Sequence, residues 1–255
     1  TQHYLNQLES LLQQHHSTIA AMIIEPVVQG AAGMIMQPQG YLTGVRQLTQ
    51  KYDVLLIADE VAVGFGRSGA MFACDHENIQ PDLMCLAKGL TGGYITMAAT
   101  LATTEIWNAF LGAPARTFYH GHTYGGNPLA AAAAIANLDI FESEQTMFNV
   151  HERTEQLDDL LRPLADHPHV GDIRQRGLIV AIELVADKDS KTPFENLGAT
   201  GTAVCKAALG QGVWLRPLRD TIVIMPPLSI SETEITKIVA AVEHAVHQVL
   251  DIDHA

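Results

Sequence analysis

Val54-Leu55-Leu56-Ile57-Ala58-Asp59-Glu60 is the stretch on which the fold turns: five apolar residues without a break, then two acids. A run so short and continuous predicts a strand covered on both faces, as parallel sheets use, rather than one alternating between core and water. Upstream, residues 41–52 carry apolar positions at helical spacing. Before them Leu5, Leu8, Leu11 and Leu12 predict a helix, and residues 19–24 a second buried strand. Downstream come apolar runs at 83–86 and 95–101, then an alanine-rich helix over about 128–142. Strands alternating with helices argue for an α/β domain with a mostly parallel sheet.

From about residue 145 the texture changes. The pattern predicts a charged helix to residue 164, alternating strands near 177–185, a helix from residue 200 and short strands at 213–215 and 221–225. A last helix is opened by the capping box Ser231-Glu232-Thr233-Glu234. The chain therefore reads as residues 1–145 of one α/β domain followed by a smaller C-terminal α+β domain, 146–255. No repeat or long linker separates them.

With 47% hydrophobic residues among 255, the chain can bury a substantial core. Fifteen Lys and Arg stand against 28 Asp and Glu, a net charge of −13 that repels phosphate backbones and anionic lipid surfaces. Neither nucleic acid nor membrane is expected as a partner. The longest apolar stretch, 129–138, is about half the roughly 20 residues that a membrane helix needs and predicts a packed helix. Cys74, Cys85 and Cys205 form no C-x-x-C pair, which fits a reducing cytoplasm better than a disulfide framework or zinc knuckle. Thr1-Gln2-His3-Tyr4 has no initiator Met, basic region or apolar core, so it reads as neither a signal peptide nor a natural start.

Two apparent motifs carry little. Gly64-Phe65-Gly66-Arg67-Ser68-Gly69 matches G-x-G-x-x-G, yet five residues separate it from Ala58, no helix start comes after it, and the position about 20 further on holds Lys88 and Gly89, not an acid. Glycines shaping a loop are the better reading. His120 and His122, at i and i+2 with no third ligand nearby, make a poor metal site, and no metal is expected. What coheres is an acid and a lysine just beyond strand ends, where α/β sheets present function. Asp59 directly follows one strand; Lys88 follows another and precedes Gly89-Leu90-Thr91-Gly92-Gly93, a turn with room for a bulky group.

Taken together, Ile24-Glu25-Pro26-Val27-Val28-Gln29-Gly30, the segment 58–69 and Cys85-Leu86-Ala87-Lys88-Gly89-Leu90-Thr91-Gly92-Gly93 resemble, in order and spacing, the class III, fold-type I aminotransferases that use pyridoxal phosphate (PLP). The resemblance covers nearly the whole chain. It implies the fold-type I architecture, with a partial large domain over 1–145 and the small domain over 146–255. Ala62, the phrase His120-Gly121-His122-Thr123-Tyr124-Gly125-Gly126-Asn127, and Gly212-Val213-Trp214-Leu215-Arg216-Pro217 with Met225-Pro226-Pro227 are similar to the biotin-pathway subgroup. That subgroup aminates 8-amino-7-oxononanoate to 7,8-diaminononanoate, usually with S-adenosylmethionine as donor and in some relatives with lysine.

By this resemblance Lys88 holds the cofactor aldehyde and shuttles the proton, and Asp59, 29 residues upstream, keeps the pyridine nitrogen protonated. Thr123 and His122 bind the cofactor phosphate of a neighbouring subunit, implying a homodimer with shared sites. His122 stands where relatives carry Pro, and only its backbone is expected to matter. Gly121 lines the same loop on the substrate side. Arg216 receives the acceptor's carboxylate in a bidentate fork, and Arg67 is a weaker candidate for which surface pairing with an acid is an equal expectation. The family's phosphate loop and aromatic pocket precede the stretch equivalent to residue 1, so the chain as given is expected to form an incomplete, inactive site. Other readings stay open: another class III ω-aminotransferase (ornithine, acetylornithine or 4-aminobutyrate type), against which Ala62 argues; an NAD-dependent oxidoreductase; or an inactive structural fragment.

Overall fold

A computed structural model describes residues 1–251. In chain order the elements are α1 (Gln2–His15), β1 (Ala21–Ile24), β2 (Val28–Gln29), β3 (Ile35–Met36), α2 (Tyr41–Lys51), β4 (Leu55–Asp59), β5 (Leu83–Leu86), β6 (Ala99–Ala102), α3 (Thr104–Ala109) and α4 (Pro128–Ser143). After these come α5 (Thr146–Leu161), β7 (Val170–Arg176), β8 (Ile179–Leu184), α6 (Ala199–Gly210), β9 (Arg216–Leu218), β10 (Thr221–Ile224) and α7 (Glu232–Leu250). The chain forms two compact units. One takes residues 1–27, 37–65 and 70–145; the other takes 28–36, 66–69 and 146 onward.

The first unit is built on a sheet of order β1-β4-β5-β6, with parallel β1–β4 and β4–β5 pairs and an antiparallel β6. One face of β4 buries Leu56 and Ala58 against Leu42 and Val45 of α2. The other face leaves Leu55 exposed and Ile57 half-buried, so the strand is covered on one side, not both. The reason lies in packing: the helices α1 and α2 meet this core through Leu5, Leu8, Leu42 and Val45, on the face that carries Leu56 and Ala58. Asp82 ties β4 to β5: its carboxylate takes a fork from Arg46 (2.6 and 3.0 Å) and the Leu56 N–H (2.7 Å). Burial alone would raise the Asp82 carboxyl, and these donors hold it below the usual range.

Helix α4 starts where Asn127 caps it, accepting from the Leu129 (2.9 Å) and Ala130 (3.4 Å) N–H groups, with Pro128 at its first position. Instead of the packed helix expected from its alanines, it buries only Ala130 and Ala134 and leaves Leu129 and Ile135 exposed.

The second unit carries an antiparallel sheet of order β7-β8-β10-β9. Val180, Ile182, Ile222 and Ile224 of that sheet share one core with Leu157 of α5, Val204 of α6 and Val242 of α7. Ser231 and Glu234 form the expected capping box at the start of α7. At its far end His169 N–H donates to His167 Nδ1 (3.1 Å), leaving the ring proton on Nε2, which faces Asp251 (3.2 Å); His247 Nδ1 meets the same carboxylate (2.8 Å). Through these contacts the trio fastens the end of the helix. Among the described residues no helix is long and apolar enough to cross a membrane, and all three cysteines are free.

Candidate active site

Parallel pairing of β4 with β5 aligns Asp59 with Cys85, and the Glu60 N–H donates to the Cys85 carbonyl (3.0 Å). Asp59 is therefore the last residue of β4, and Lys88 sits just past the C-terminal end of the neighbouring β5. Asp59 Oδ1 accepts from Val61 N–H (3.0 Å), while Oδ2 has no partner among the described residues. Its neighbour Glu60 is wholly buried and accepts the Ala73 and Cys74 N–H groups (both 2.8 Å), which anchors the far end of the loop that Asp59 begins. Burial pushes the Glu60 carboxyl up, and burial with the Glu60 charge pushes the Cys74 thiol up.

Lys88 opens a 3-10 turn (Lys88–Thr91) with φ of 44°, a left-handed value that a side chain with a Cβ rarely adopts. Such strain collects at functional positions, held there by the surroundings. The Lys88 side chain is exposed, with no ion pair or hydrogen bond among the described residues. Gly89 packs so closely on Phe65 that an added Cβ would lie 2.8 Å from the Phe65 Cβ.

Gly121, His122 and Thr123 lie on a separate exposed loop ahead of α4. The His122 carbonyl accepts from Gly125 N–H (2.9 Å), and its ring Nδ1 accepts from Tyr124 N–H (3.2 Å). The ring as well as the backbone thus shapes this turn, contrary to expectation. The Thr123 hydroxyl and N–H are unspent among the described residues. In the second unit Arg216 is an exposed residue at the start of β9, paired with Val223. Arg67 departs from its expected acid pairing: its guanidinium donates to the Pro226 carbonyl, no carboxylate among the described residues meets it, and burial pushes it down to about 10. A desolvated guanidinium with donors to spare suits an anionic group better than surface pairing would.

The glycine motif does not form a dinucleotide cradle. Residues 61–72 are turns with Phe65, Gly66 and Gly69 at positive φ, and they lead into a short 3-10 helix, Ala73–Glu77. The residues at hand do fit PLP: among the described residues there are an amine without a partner, a carboxylate oxygen open to a ring N–H, and an unspent hydroxyl and N–H for a phosphate. Sequence reasoning missed Asn137 and Gly177, whose work is done through space. Asn137 binds the Lys88 turn from 48 residues away, and Gly177 admits the backbone of residues 67–69, with the Leu178 N–H donating to the Arg67 carbonyl (3.1 Å).

Three comparisons with known proteins bear on the family. The adenosylmethionine-8-amino-7-oxononanoate aminotransferase of Nitratidesulfovibrio vulgaris is 52% identical over 244 residues, covering 95% of this chain and 45% of that protein. Its namesake in Geobacter sulfurreducens is 50% identical over 247 residues, covering 96% and 54%. A crystal structure of the enzyme of that name from Methanocaldococcus jannaschii superposes with a TM-score of 0.93 at 44% identity, over 96% of this chain and 57% of that one. The chain thus spans about half the length of the curated relatives it matches. The family model described as aminotransferase class III matches residues 1–246, so the chain belongs to the class III aminotransferases, whose cofactor is pyridoxal phosphate.

Proposed function

We propose that the full-length protein transfers an amino group to 8-amino-7-oxononanoate, giving 7,8-diaminononanoate in biotin biosynthesis, with S-adenosylmethionine as donor. The observation that carries this reading is the placement of Asp59 at the end of β4 and of Lys88 just past the end of the parallel β5, in a chain 44–52% identical to several relatives bearing that enzyme's name. Residues 1–145 are the C-terminal portion of a large cofactor-binding domain and 146–255 the small domain. Two copies share their sites in a homodimer, and the three free cysteines suit the cytoplasm.

When bound, PLP supplies an aldehyde to receive the amino group and a ring that stores an electron pair. Lys88 Nζ would hold that aldehyde, and the same amine would move the proton at the substrate carbon that bears nitrogen. Asp59 Oδ2, the oxygen left free by Val61, accepts the ring N–H and keeps its proton in place by charge. The Thr123 hydroxyl and N–H, with the His122 turn behind them, take the phosphate belonging to the partner subunit's site. Arg216 pairs its fork with a substrate carboxylate, Arg67 is a second candidate for that contact, and Gly121 leaves room for substrate on the loop.

The test is product analysis by mass spectrometry, with full-length protein, 8-amino-7-oxononanoate and either S-adenosylmethionine or lysine as donor. Diaminononanoate formed from S-adenosylmethionine is the expected result. Failure to aminate 8-amino-7-oxononanoate, with ready deamination of ornithine, acetylornithine or 4-aminobutyrate, would move the protein to another branch of the class.

A further inference from the structure

We infer that Asn137, on the third turn of α4, is a positioning residue that sets the aim of Lys88; this rests on reading Lys88 as the cofactor lysine. The Asn137 amide donates to the Gly89 (2.8 Å) and Leu90 (3.3 Å) carbonyls, the two that come after the lysine. Its Oδ1 lies so close to Gly92 that an added Cβ there would come within 2.9 Å. One side chain therefore engages the Lys88 turn and its exit at Gly89, Leu90 and Gly92. On another side the turn abuts Phe65 through Gly89, and inside it the buried Thr91 donates its hydroxyl to the Ile95 carbonyl.

The physical need for such a clamp is the lysine's own backbone. At φ of 44°, Lys88 holds a conformation that is strained for a residue with a Cβ and lasts only where surrounding contacts overdetermine it. Left to relax toward ordinary φ, residue 88 would swing its Cα–Cβ bond, and the amine at the end of four methylenes would move furthest. The two carbonyls of the turn converge on a single amide that only a carboxamide at position 137 provides. The backbone hydrogen bonds within the turn (Leu90 N–H to Ala87, 3.0 Å; Gly92 N–H to Gly89, 3.2 Å) close it but tie it to nothing outside. Asn137 ties it to a helix of sixteen residues.

The experiment uses full-length protein carrying PLP and two variants. Asn137→Ala removes the donors. Asn137→Asp keeps the shape but sets a carboxylate against two carbonyls. In both, the maximal rate of the first half-reaction, followed by single-turnover absorbance, should fall roughly 10–100-fold, while the half-saturating donor concentration stays within about twofold. The pH at which the cofactor–lysine absorbance changes should move in both. Should Asn137→Ala fail to fold, Asn137→Ser gives the same reading with a donor too short to span both carbonyls. Wild-type rate and pH midpoint in the variants, whatever happens to thermal stability, would overturn the inference and leave Asn137 a packing residue. Asn137→Asp matching wild type while Asn137→Ala is slow would do so too, because shape and not donation would then be what counts. Peptide mapping of the cofactor attachment tells the two failures apart: attachment away from Lys88 sinks the underlying reading, whereas attachment at Lys88 with unchanged variants sinks only this one.

Discussion

Asp59 commits one carboxylate oxygen to structure and, in the proposed role, keeps the other for chemistry. Oδ1 holds the Val61 N–H, which closes the turn after β4, and Oδ2 is left for a ligand. Asparagine at this position keeps a carbonyl oxygen for Val61 but brings no negative charge to hold a proton on a ring nitrogen. Asp59→Asn in the full-length protein should therefore fold and melt like wild type yet turn over at least ~100-fold more slowly, on the scale of losing one preorganised electrostatic contact. Steady-state rates checked beside a melting curve decide it, and near-normal turnover would remove Asp59 from the chemistry. Asp59 and Lys88 were legible in the sequence because their residue types, and their places after apolar runs, survive in one dimension. Asn137 was not, since nothing in an alanine-rich helix announces that one amide reaches back 48 residues to a lysine turn.

Among the elements, those with local causes were readable and those with distant causes were not. The capping box of α7 and the core-facing leucines of α1 and α2 come from spacing alone. Strand β7 was missed because Gly171, Asp172 and Arg174 hide it; Arg174 is satisfied by Asp172 and by Glu183 on β8, a pairing visible only once the strands meet. The apolar run at 213–215 drew the expected strand, yet pairing with β10 begins at Arg216 and runs through Pro217, which an edge strand tolerates. The turn between β7 and β8 carries a steric demand that backbone alone imposes. A Cβ on Gly177 (φ 59°) would lie 2.3 Å from both Gly69 N and Ser68 C and 2.8 Å from the Arg67 carbonyl, all of it backbone that cannot swing aside. Gly177→Ala should thus cost on the order of 1–3 kcal/mol, the range for overpacking a tight site, and displace Arg67 with it. Chemical denaturation of the full-length variant checks the cost. A loss below ~0.5 kcal/mol, the scale of an ordinary surface change, would show that the close approach is not a constraint.

At the scale of the molecule, the first unit is a mostly parallel sheet with α1 and α2 packed on one face, and Leu101, Trp107, Phe118, Leu129 and Ile135 stand exposed in it. That much apolar surface is characteristic of faces that other protein covers. The whole-chain resemblance to relatives twice as long was readable from three short motifs, because motif order is a property of the chain. How α4 and the 121–123 loop would be covered was not readable, because burial depends on what packs from outside. The proposed chemistry is accordingly a property of the full-length protein, and its central claim is that PLP is held by Lys88. Borohydride makes a cofactor's link to an amine permanent, so full-length protein loaded with PLP, reduced, digested and mapped by mass spectrometry gives the most direct answer. The tag is expected on the peptide containing Lys88. A tag on Lys51 or any other lysine, or no tag at all, would contradict the account.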